Sequence, residues 1–131
     1  MTFVDSNIPM YIVGADHPNR TTARHLLERC VAEGERLVTD VEVLQEILHR
    51  YSAIKRRDAI QPAFDAVLGV VDEVLGVGVP EIQRAKELVL GTALLSARDA
   101  VHVAVMEANG IERILTFDTA FATVPGITVV A

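Results

Sequence analysis

The stretch LTFDTAF, residues 115–121, decides how this chain is organised. Its apolar beginning has the branched and aromatic composition of a buried strand, and Asp118 follows directly where that strand should end. The chain opens in the same way, since an apolar pair leads into Asp5. One aspartate after a strand is explained by a turn. Two of them predict that acidic side chains gather at one edge of a sheet, where the carboxyl ends of parallel strands bind ligands.

The rest of the chain alternates strand-like segments with longer helical patterns. The strand-like segments are TFV (2–4), RLV (36–38), VGV (77–79), RILTF (113–117) and ITVV (127–130), and the helical patterns cover 20–33, 40–53, 58–75, 81–95 and 98–109. Helix-length connections between strands imply right-handed crossovers. The pattern therefore predicts a three-layer α/β/α sandwich around a central, mostly parallel sheet of four to five strands. A chain of 131 residues, 50% of them hydrophobic, suits one domain spanning residues 1–131.

Charge and cysteine content exclude several classes of function. The formal net charge of −6 argues against nucleic-acid binding through a basic surface alone, yet it is compatible with a nuclease whose acids hold divalent cations. Cys30 is the only cysteine, which rules out an internal disulfide and a thiolate metal cluster, and its helical pattern predicts a buried apolar role. No apolar run approaches the roughly 20 residues of a membrane span, and no signal-peptide pattern opens the chain. We expect a cytoplasmic protein.

Four acids are predicted to meet in one cleft. Asp5 and Asp118 follow strands, Asp99 lies in the first turn of a helix, and Glu46 lies about two turns into the helix after RLVTD. Four neighbouring carboxylates cannot all stay ionised without compensation, because like charges raise one another's pKa. Oxygen ligands at this density suit Mg²⁺, with Mn²⁺ as a substitute, and the absence of HExxH and of a cysteine pair argues against zinc. A metal held in this way predicts phosphodiester hydrolysis.

Asp5, Asp99 and Asp118 also have structural explanations, as a turn residue, a helix-start residue and a cap of the following turn, whereas Glu46 has none. Thr39 with Glu42, and Ser96 with Asp99, have the spacing of capping boxes. Since Glu42 is then explained as a capping partner, Glu46 is preferred over it as the metal ligand. Asp40 is interpreted as a helix-start residue rather than a ligand.

Basic side chains near these acids leave alternatives open. His102 lies three residues after Asp99, where it either packs in the interior, holds a carboxylate in place or contacts substrate. A basic cluster either binds RNA phosphates at the rim of the cleft or forms a solvated helix end. The cluster consists of His49, Arg50, Lys55, Arg56 and Arg57.

The motifs FVDSN, VLQEIL, ARDAVHVAV and ILTFDTAF, followed by PGITVV, occur in this order along nearly the whole chain. The chain resembles the PIN-domain nucleases, and specifically the VapC-type toxins of toxin-antitoxin pairs. The resemblance implies a Mg²⁺-dependent endoribonuclease that leaves 5′-phosphate and 3′-hydroxyl ends. It also implies a small antitoxin that wraps the toxin and places a basic side chain near the acids, and a toxin homodimer. The residues it carries over are the acids Asp5, Glu46, Asp99 and Asp118, with Asn7 and Thr116 as polar neighbours.

Three other functions fit parts of the pattern. One is a related nuclease that acts on DNA or in RNA maturation without an antitoxin. Another is a non-catalytic domain whose acidic cleft binds a basic peptide. A phosphoacceptor domain fits least, because FVDSN lacks the supporting acid pair and late lysine that such chemistry needs.

Overall fold

In a computed structural model that describes residues 1–130, a five-stranded parallel sheet is flanked by six helices. The strands are β1 (Thr2–Val4), β2 (Leu37–Asp40), β3 (Glu73–Leu75), β4 (Arg113–Leu115) and β5 (Thr128–Val130). The helices are α1 (Asn7–Val13), α2 (Pro18–Ala32), α3 (Val41–Ala53), α4 (Ile60–Leu68), α5 (Val79–Gly91) and α6 (Ala97–Ala108). The sheet order is β3-β2-β1-β4-β5. The predicted sandwich with a parallel sheet is confirmed.

The core lies on both faces of the sheet, because successive side chains of a strand point to opposite sides. Phe3 and Ile114 belong to one buried cluster, whereas their neighbours Val4 and Leu115 belong to the other. All four side chains are fully buried. A parallel sheet covered on both faces therefore explains why its strands have continuous apolar sequences.

The central position of β1 brings distant parts of the chain to one edge. β1 pairs with β4 in a register that sets Val4 opposite Leu115, and the backbone N–H of Asp5 donates to the carbonyl of Leu115 over 3.1 Å. The residues that follow these two strands, Asp5 and Thr116, are consequently neighbours. On the other side of β1, β2 ends at Asp40, and α3 begins immediately after it.

Several element predictions need correction. The third strand is 73–75 rather than VGV at 77–79, and the helical pattern of 58–75 ends as a helix at Leu68. Short apolar runs between glycines do not distinguish a strand from a helix by periodicity. Helix α5 ends at Gly91 rather than at residue 95. Helix α1 is absent from the prediction, since its seven residues are too few for a helical repeat to emerge.

One of the two predicted capping boxes is wrong. Thr39 belongs to β2, and its hydroxyl donates to the carbonyl of Val4 over 2.8 Å. The residue that caps α3 is Asp40, whose Oδ1 accepts from the backbone N–H of Val43 over 2.9 Å. The strand pairing continues two residues further than predicted, to Asp40, which moves the N-cap from Thr39 to Asp40. Glu42 therefore has no capping role with Thr39.

The second capping prediction is confirmed. Ser96 precedes α6, and its hydroxyl oxygen accepts from the backbone N–H of Asp99 over 3.1 Å. We expect Ser96→Ala to lower the free energy of unfolding by about 1 kcal/mol, because an orphan donor of the first turn loses its partner. Urea denaturation measures this change. Ser52→Ala is the control, since this exposed serine lies inside α3, and a loss of equal size there would contradict the capping role.

Two smaller expectations concern Cys30 and membrane insertion. Cys30 is 2% exposed and packs in the cluster beneath α2, which confirms the buried apolar role. Within residues 1–130, none of the helices combines the length and the apolar character needed to cross a bilayer.

Candidate metal centre and substrate cleft

Asp5 is held in a fixed orientation at the carboxyl edge of the sheet. It is 4% exposed. Its Oδ1 accepts from the backbone N–H of Ser6 over 2.7 Å, and its Oδ2 accepts from the hydroxyl of Thr116 over 2.7 Å. Burial raises the pKa of this carboxyl, while the neighbouring His102 and the hydrogen bonds oppose that effect. A carboxylate in this position is costly for the fold unless it acquires a cationic partner.

Asn7 and Thr116 join the loop after β1 to the loop after β4. The Asn7 amide donates to the Thr116 hydroxyl oxygen over 3.1 Å and to Asp5 Oδ2 over 3.4 Å. Its carbonyl oxygen accepts from the backbone N–H of Phe117 over 3.3 Å, and the Thr116 oxygen accepts from the backbone N–H of Asp118 over 3.0 Å. Asn7 and Thr116 are thus both polar neighbours of the Asp5 carboxylate, and Thr116 also binds the backbone of Asp118.

His102 is fully buried between two carboxylates. Its Nδ1 lies 2.8 Å from Asp40 Oδ2, and its Nε2 lies 2.6 Å from Glu46 Oε1. Both ring nitrogens can donate to carboxylates only when the ring is protonated. Burial lowers the pKa of His102, but the bonds to Asp40 and Glu46 outweigh burial, so that the pKa lies well above its ordinary value. Among the alternatives open for His102, the geometry matches the one in which it holds a carboxylate in place.

Glu46 is anchored from two sides. Its Oε1 contacts His102, and its Oε2 accepts from the hydroxyl of Ser6 over 2.6 Å. Burial raises the pKa of Glu46, yet the bond to His102 and its charge, together with the Ser6 bond, bring the net pKa below the ordinary value. The competing acid, Glu42, lies 3.9 Å from the guanidinium of Arg98. The preference for Glu46 rested on the predicted capping role of Glu42, which is wrong. Glu46 is nevertheless the glutamate that is hydrogen-bonded to Ser6, in the loop after Asp5.

Asp99 and Asp118 complete the group of acids. Asp118 precedes a 3₁₀ turn and caps it, with Oδ1 accepting from the backbone N–H of Ala120 over 2.9 Å. The pKa of Asp99 is raised to about 7, first by burial, then by a hydrogen bond with Asp118 and by the charge of Asp5. The structure therefore brings together all four acids that the sequence singled out, from four separate segments.

The donor set fits a divalent cation. Ligand atoms of Asp5, Glu46 and His102 all lie within 4.8 Å of one another. Because both nitrogens of His102 are engaged by carboxylates, the donors open to a cation are carboxylate oxygens, which hard cations such as Mg²⁺ prefer. The pKa of Asp99 is raised first by burial and then by the carboxylates of Asp118 and Asp5, whose negative charge a bound cation would offset.

Sequence reasoning missed two members of the site, Ser6 and the second role of Asp40. Asp40 is fully buried and links the cap of α3 to His102. It follows an apolar strand segment just as Asp5 and Asp118 do, so the rule that singled out those two acids applies to it as well. Ser6 lies inside the FVDSN motif, but its contact with Glu46 spans 40 positions of the sequence.

A cleft of about 530 Å³ opens beside the acids. Ser6, Asn7 and Glu46 line it where it meets the acidic group. Two members of the basic cluster, Arg50 and Arg56, line the cleft, whereas His49, Lys55 and Arg57 do not. Arg98, next to Asp99 in the chain, lines it too. The remaining walls include Tyr11, His17 and Tyr51.

The fold and the acidic group define a known class of protein. The family model described as PIN domain matches residues 2–127. The chain therefore belongs to the PIN domain family.

Its relatives within that family are VapC ribonucleases. The chain is 58% identical over 127 residues to a VapC ribonuclease of Mycobacterium bovis and to Ribonuclease VapC13 of Mycobacterium tuberculosis, with 97% of each chain covered. It is 37% identical over 123 residues to Ribonuclease VapC23 of M. tuberculosis, covering 94% of this chain and 97% of that one. At these identities and coverages the chain falls in the VapC group, which confirms the resemblance.

Solved structures show the same fold. VapC20 of M. tuberculosis, described as a sarcin-ricin loop cleaving toxin, superposes with a TM-score of 0.73 at 25% identity, covering 90% of both chains. VapBC2 from Rickettsia felis, solved bound to a DNA fragment from its promoter, gives a TM-score of 0.73 at 17% identity and covers 98% of this chain and 96% of that one.

Proposed function

We propose that this protein is a metal-dependent endoribonuclease and the toxin of a toxin-antitoxin pair, with residues 1–131 forming a single nuclease domain. The observation that carries the proposal is the convergence of four acids at the carboxyl edge of the sheet, where the pKa of Asp99 rises to about 7. The proposed ligands of Mg²⁺, or of Mn²⁺ in its place, are Asp5, Glu46, Asp99 and Asp118. A divalent cation held by these residues would supply positive charge and an activated water for phosphodiester hydrolysis.

The chain's own residues orient the acids for this chemistry. Thr116 and Asn7 hold Asp5, while His102 and Ser6 hold the two oxygens of Glu46. Locked carboxylates keep the reacting groups aligned without rearrangement during the reaction. The hydroxyl of Ser6 donates to Glu46 and serves to orient that carboxylate. In the proposed reaction the nucleophile is water, which a bound cation would activate, and the products carry 5′-phosphate and 3′-hydroxyl ends.

The relatives support RNA as the substrate and an antitoxin as the partner. The curated proteins most like this chain among those compared carry the name ribonuclease, and several solved neighbours are toxin-antitoxin complexes. A cognate VapB-type antitoxin would neutralise the toxin, and the toxin would assemble as a homodimer. RNA cleavage and the lone buried cysteine are consistent with action in the cytoplasm.

Incubation of the purified protein with total RNA and Mg²⁺ tests the activity. We expect discrete cuts, mapped by sequencing of the RNA ends, which disappear on addition of a chelator and return with excess Mg²⁺ or Mn²⁺. Co-incubation with the antitoxin encoded next to the gene should suppress them. Cleavage that persists in chelator would exclude the metal mechanism, and equal toxicity of the wild-type and Asp99→Asn chains in cells would favour a non-catalytic binding domain.

Metal binding should also stabilise the fold independently of catalysis. Because a cation offsets repulsion among the acids, we expect Mg²⁺ to raise the Tm of the wild-type protein in proportion to ln[Mg²⁺]. At about 100 times the Kd, the gain is about 2.7 kcal/mol. Differential scanning calorimetry across a Mg²⁺ series measures it.

The control for this shift is a pair of variants. Asp99→Asn should flatten the dependence on Mg²⁺, whereas Glu112→Gln should keep it, because this exposed acid precedes β4 and the site lies at the carboxyl end of that strand. If both variants respond as the wild type does, Mg²⁺ acts through general surface charge and the proposed ligands are wrong.

A further inference from the structure

The cleft beside the acids has the dimensions and lining of a ligand site. Its volume of about 530 Å³ lies inside the range of roughly 300–1,000 Å³ that is usual for small-molecule pockets. Glu46 is one of its lining residues, so that an occupant of the cleft lies next to the group that would hold the cation. The cleft and the acidic group therefore form one continuous surface.

Arginines collect in this cleft although the protein as a whole is acidic. Arg50 follows Glu46 by one helical turn on α3, and Arg98 precedes Asp99 at the start of α6. Within residues 1–130, the side chain of Arg50 forms no hydrogen bond or ion pair, and Arg98 comes only within 3.9 Å of Glu42. The third arginine, Arg56, is already paired with Asp58 through two bonds of 3.1 Å. Arg50 and Arg98 thus have donors available for an anionic ligand.

Aromatic side chains line the same cleft as these arginines. Tyr11 and His17 line the cleft with ring centroids 4.9 Å apart, and Phe117 supports Tyr11 edge-on at 5.1 Å. The His17 ring is fixed because its Nδ1 accepts from the backbone N–H of Asn19 over 3.0 Å. The wall is therefore preorganised, which reduces the entropic cost of binding a flat ring against it.

We propose that this cleft is a nucleotide subsite, which takes one unpaired nucleotide of single-stranded RNA next to the scissile phosphate. The base stacks on Tyr11, and Arg50 and Arg98 bind the flanking phosphates. Proteins that recognise single-stranded RNA use this pairing of aromatic faces with guanidinium groups. The inference rests on the proposed function, since only a nuclease gives the adjacent acids a phosphate to cleave. A basic peptide, the alternative occupant, would supply no anionic partner for the donors of Arg50 and Arg98.

The test is a binding measurement in EDTA, where the RNA stays intact. The probe is a short unstructured RNA carrying one 2-aminopurine, whose fluorescence falls when the base stacks on an aromatic ring. The chain contains no tryptophan, so the protein contributes little background. Fluorescence and anisotropy are recorded over a series of salt concentrations, with an RNA duplex as competitor.

Four single variants separate stacking from general charge. Tyr11→Leu should abolish the quenching and weaken binding by about 5- to 150-fold, whereas Tyr11→Phe should retain both. Arg50→Gln should reduce the slope of log K against log[salt] by about 0.7, the value for one phosphate contact on a single strand. Arg57→Gln removes an equal charge from the same cluster but outside the cleft, and should leave the slope unchanged. Thermal unfolding checks that each variant is folded. If Tyr11→Leu does not fold, the comparison of Arg50→Gln with Arg57→Gln, at two exposed arginines, tests the subsite by itself.

The outcomes distinguish this proposal from the one it rests on. Equal effects of Arg50→Gln and Arg57→Gln, unchanged binding by Tyr11→Leu, preference for the duplex, or no binding by the wild type would each overturn the subsite. A wild-type protein that shows the expected pattern in EDTA but does not cleave RNA with Mg²⁺ would keep the subsite and overturn the nuclease. A protein that cleaves RNA with Mg²⁺ but lacks the expected binding pattern in EDTA would keep the nuclease and overturn the subsite.

Discussion

Asp5→Asn is expected to reduce RNA cleavage by about 10²-fold or more, the loss seen when one preorganised electrostatic group is removed from an active site. The stability of the metal-free protein should stay the same or rise, because burial raises the pKa of Asp5 and the neutral amide avoids that cost. The bond from the Ser6 N–H can persist, since the amide oxygen can accept it. The bond from the Thr116 hydroxyl is lost, because the amide N–H groups now face an oxygen that already accepts from Asn7 and from the Asp118 N–H, and this loss offsets part of the gain.

Cleavage rates and the free energy of unfolding, both measured on the same preparations, test whether Asp5→Asn affects catalysis without affecting stability. Asp65→Asn is the matched control, because Asp65 is an exposed acid on α4 whose side chain accepts only from Gln61. It should leave the rate unchanged. If Asp5→Asn retained wild-type cleavage, the acidic group would not be the catalytic centre. If it lost activity only by unfolding, the role of Asp5 would be structural.

The second large effect concerns the buried contact of His102 with two acids. His102→Leu should lower the free energy of unfolding by about 3–5 kcal/mol, because it leaves the carboxylates of Asp40 and Glu46 without their partner. Asp40 has no exposed surface from which water could replace that partner. Cleavage should also fall in any fraction that remains folded, since Glu46 loses one of its two anchors.

A double-mutant cycle tests the charge interaction between Asp40 and His102, because the effect of Asp40→Asn on stability should change sign when His102 is removed. Asp40→Asn should destabilise the wild type, where the negative charge pairs with His102, yet stabilise the His102→Leu chain, where the same charge is buried alone. The capping bond to the Val43 N–H persists in both backgrounds, because the amide oxygen can still accept it. Urea denaturation of the four chains gives the coupling, and additive effects would show that Asp40 and His102 do not interact.

Local patterns in the sequence were sufficient for the layered fold. Successive residues of β1 and β4 are buried on opposite faces of the sheet, so that both strands are continuous apolar runs. Helix-length connections between such runs indicate a parallel sheet. Errors occurred where the local pattern was ambiguous. Residues 73–79 contain two short apolar runs around glycine, and only pairing with β2 selects 73–75 as the strand. Helix α1 buries only Ile8 and Pro9 along its length, which is too little apolar periodicity to identify a helix.

Three of the four acids could be inferred from the sequence because strand ends and helix starts are local features, whereas Glu46, inside α3, was selected by a capping argument that the structure contradicts. In a parallel sheet these features lie at a common edge, so that Asp5, Asp99 and Asp118 were predicted to be neighbours without any knowledge of contacts. The order of the motifs then identified the family. What the sequence by itself determined was therefore the fold class, the acidic edge and the kind of chemistry it implies.

Only the tertiary structure decided how the acids are held and what lies beside them. His102 binds Asp40 and Glu46 across 62 and 56 positions of the chain, and Ser6 reaches Glu46 across 40. The tertiary structure likewise decided that Arg50 lines the cleft while Arg57 does not. The physical reason is that hydrogen bonds between distant side chains depend on strand order and helix orientation, which the packing of the whole core sets and no local spacing encodes.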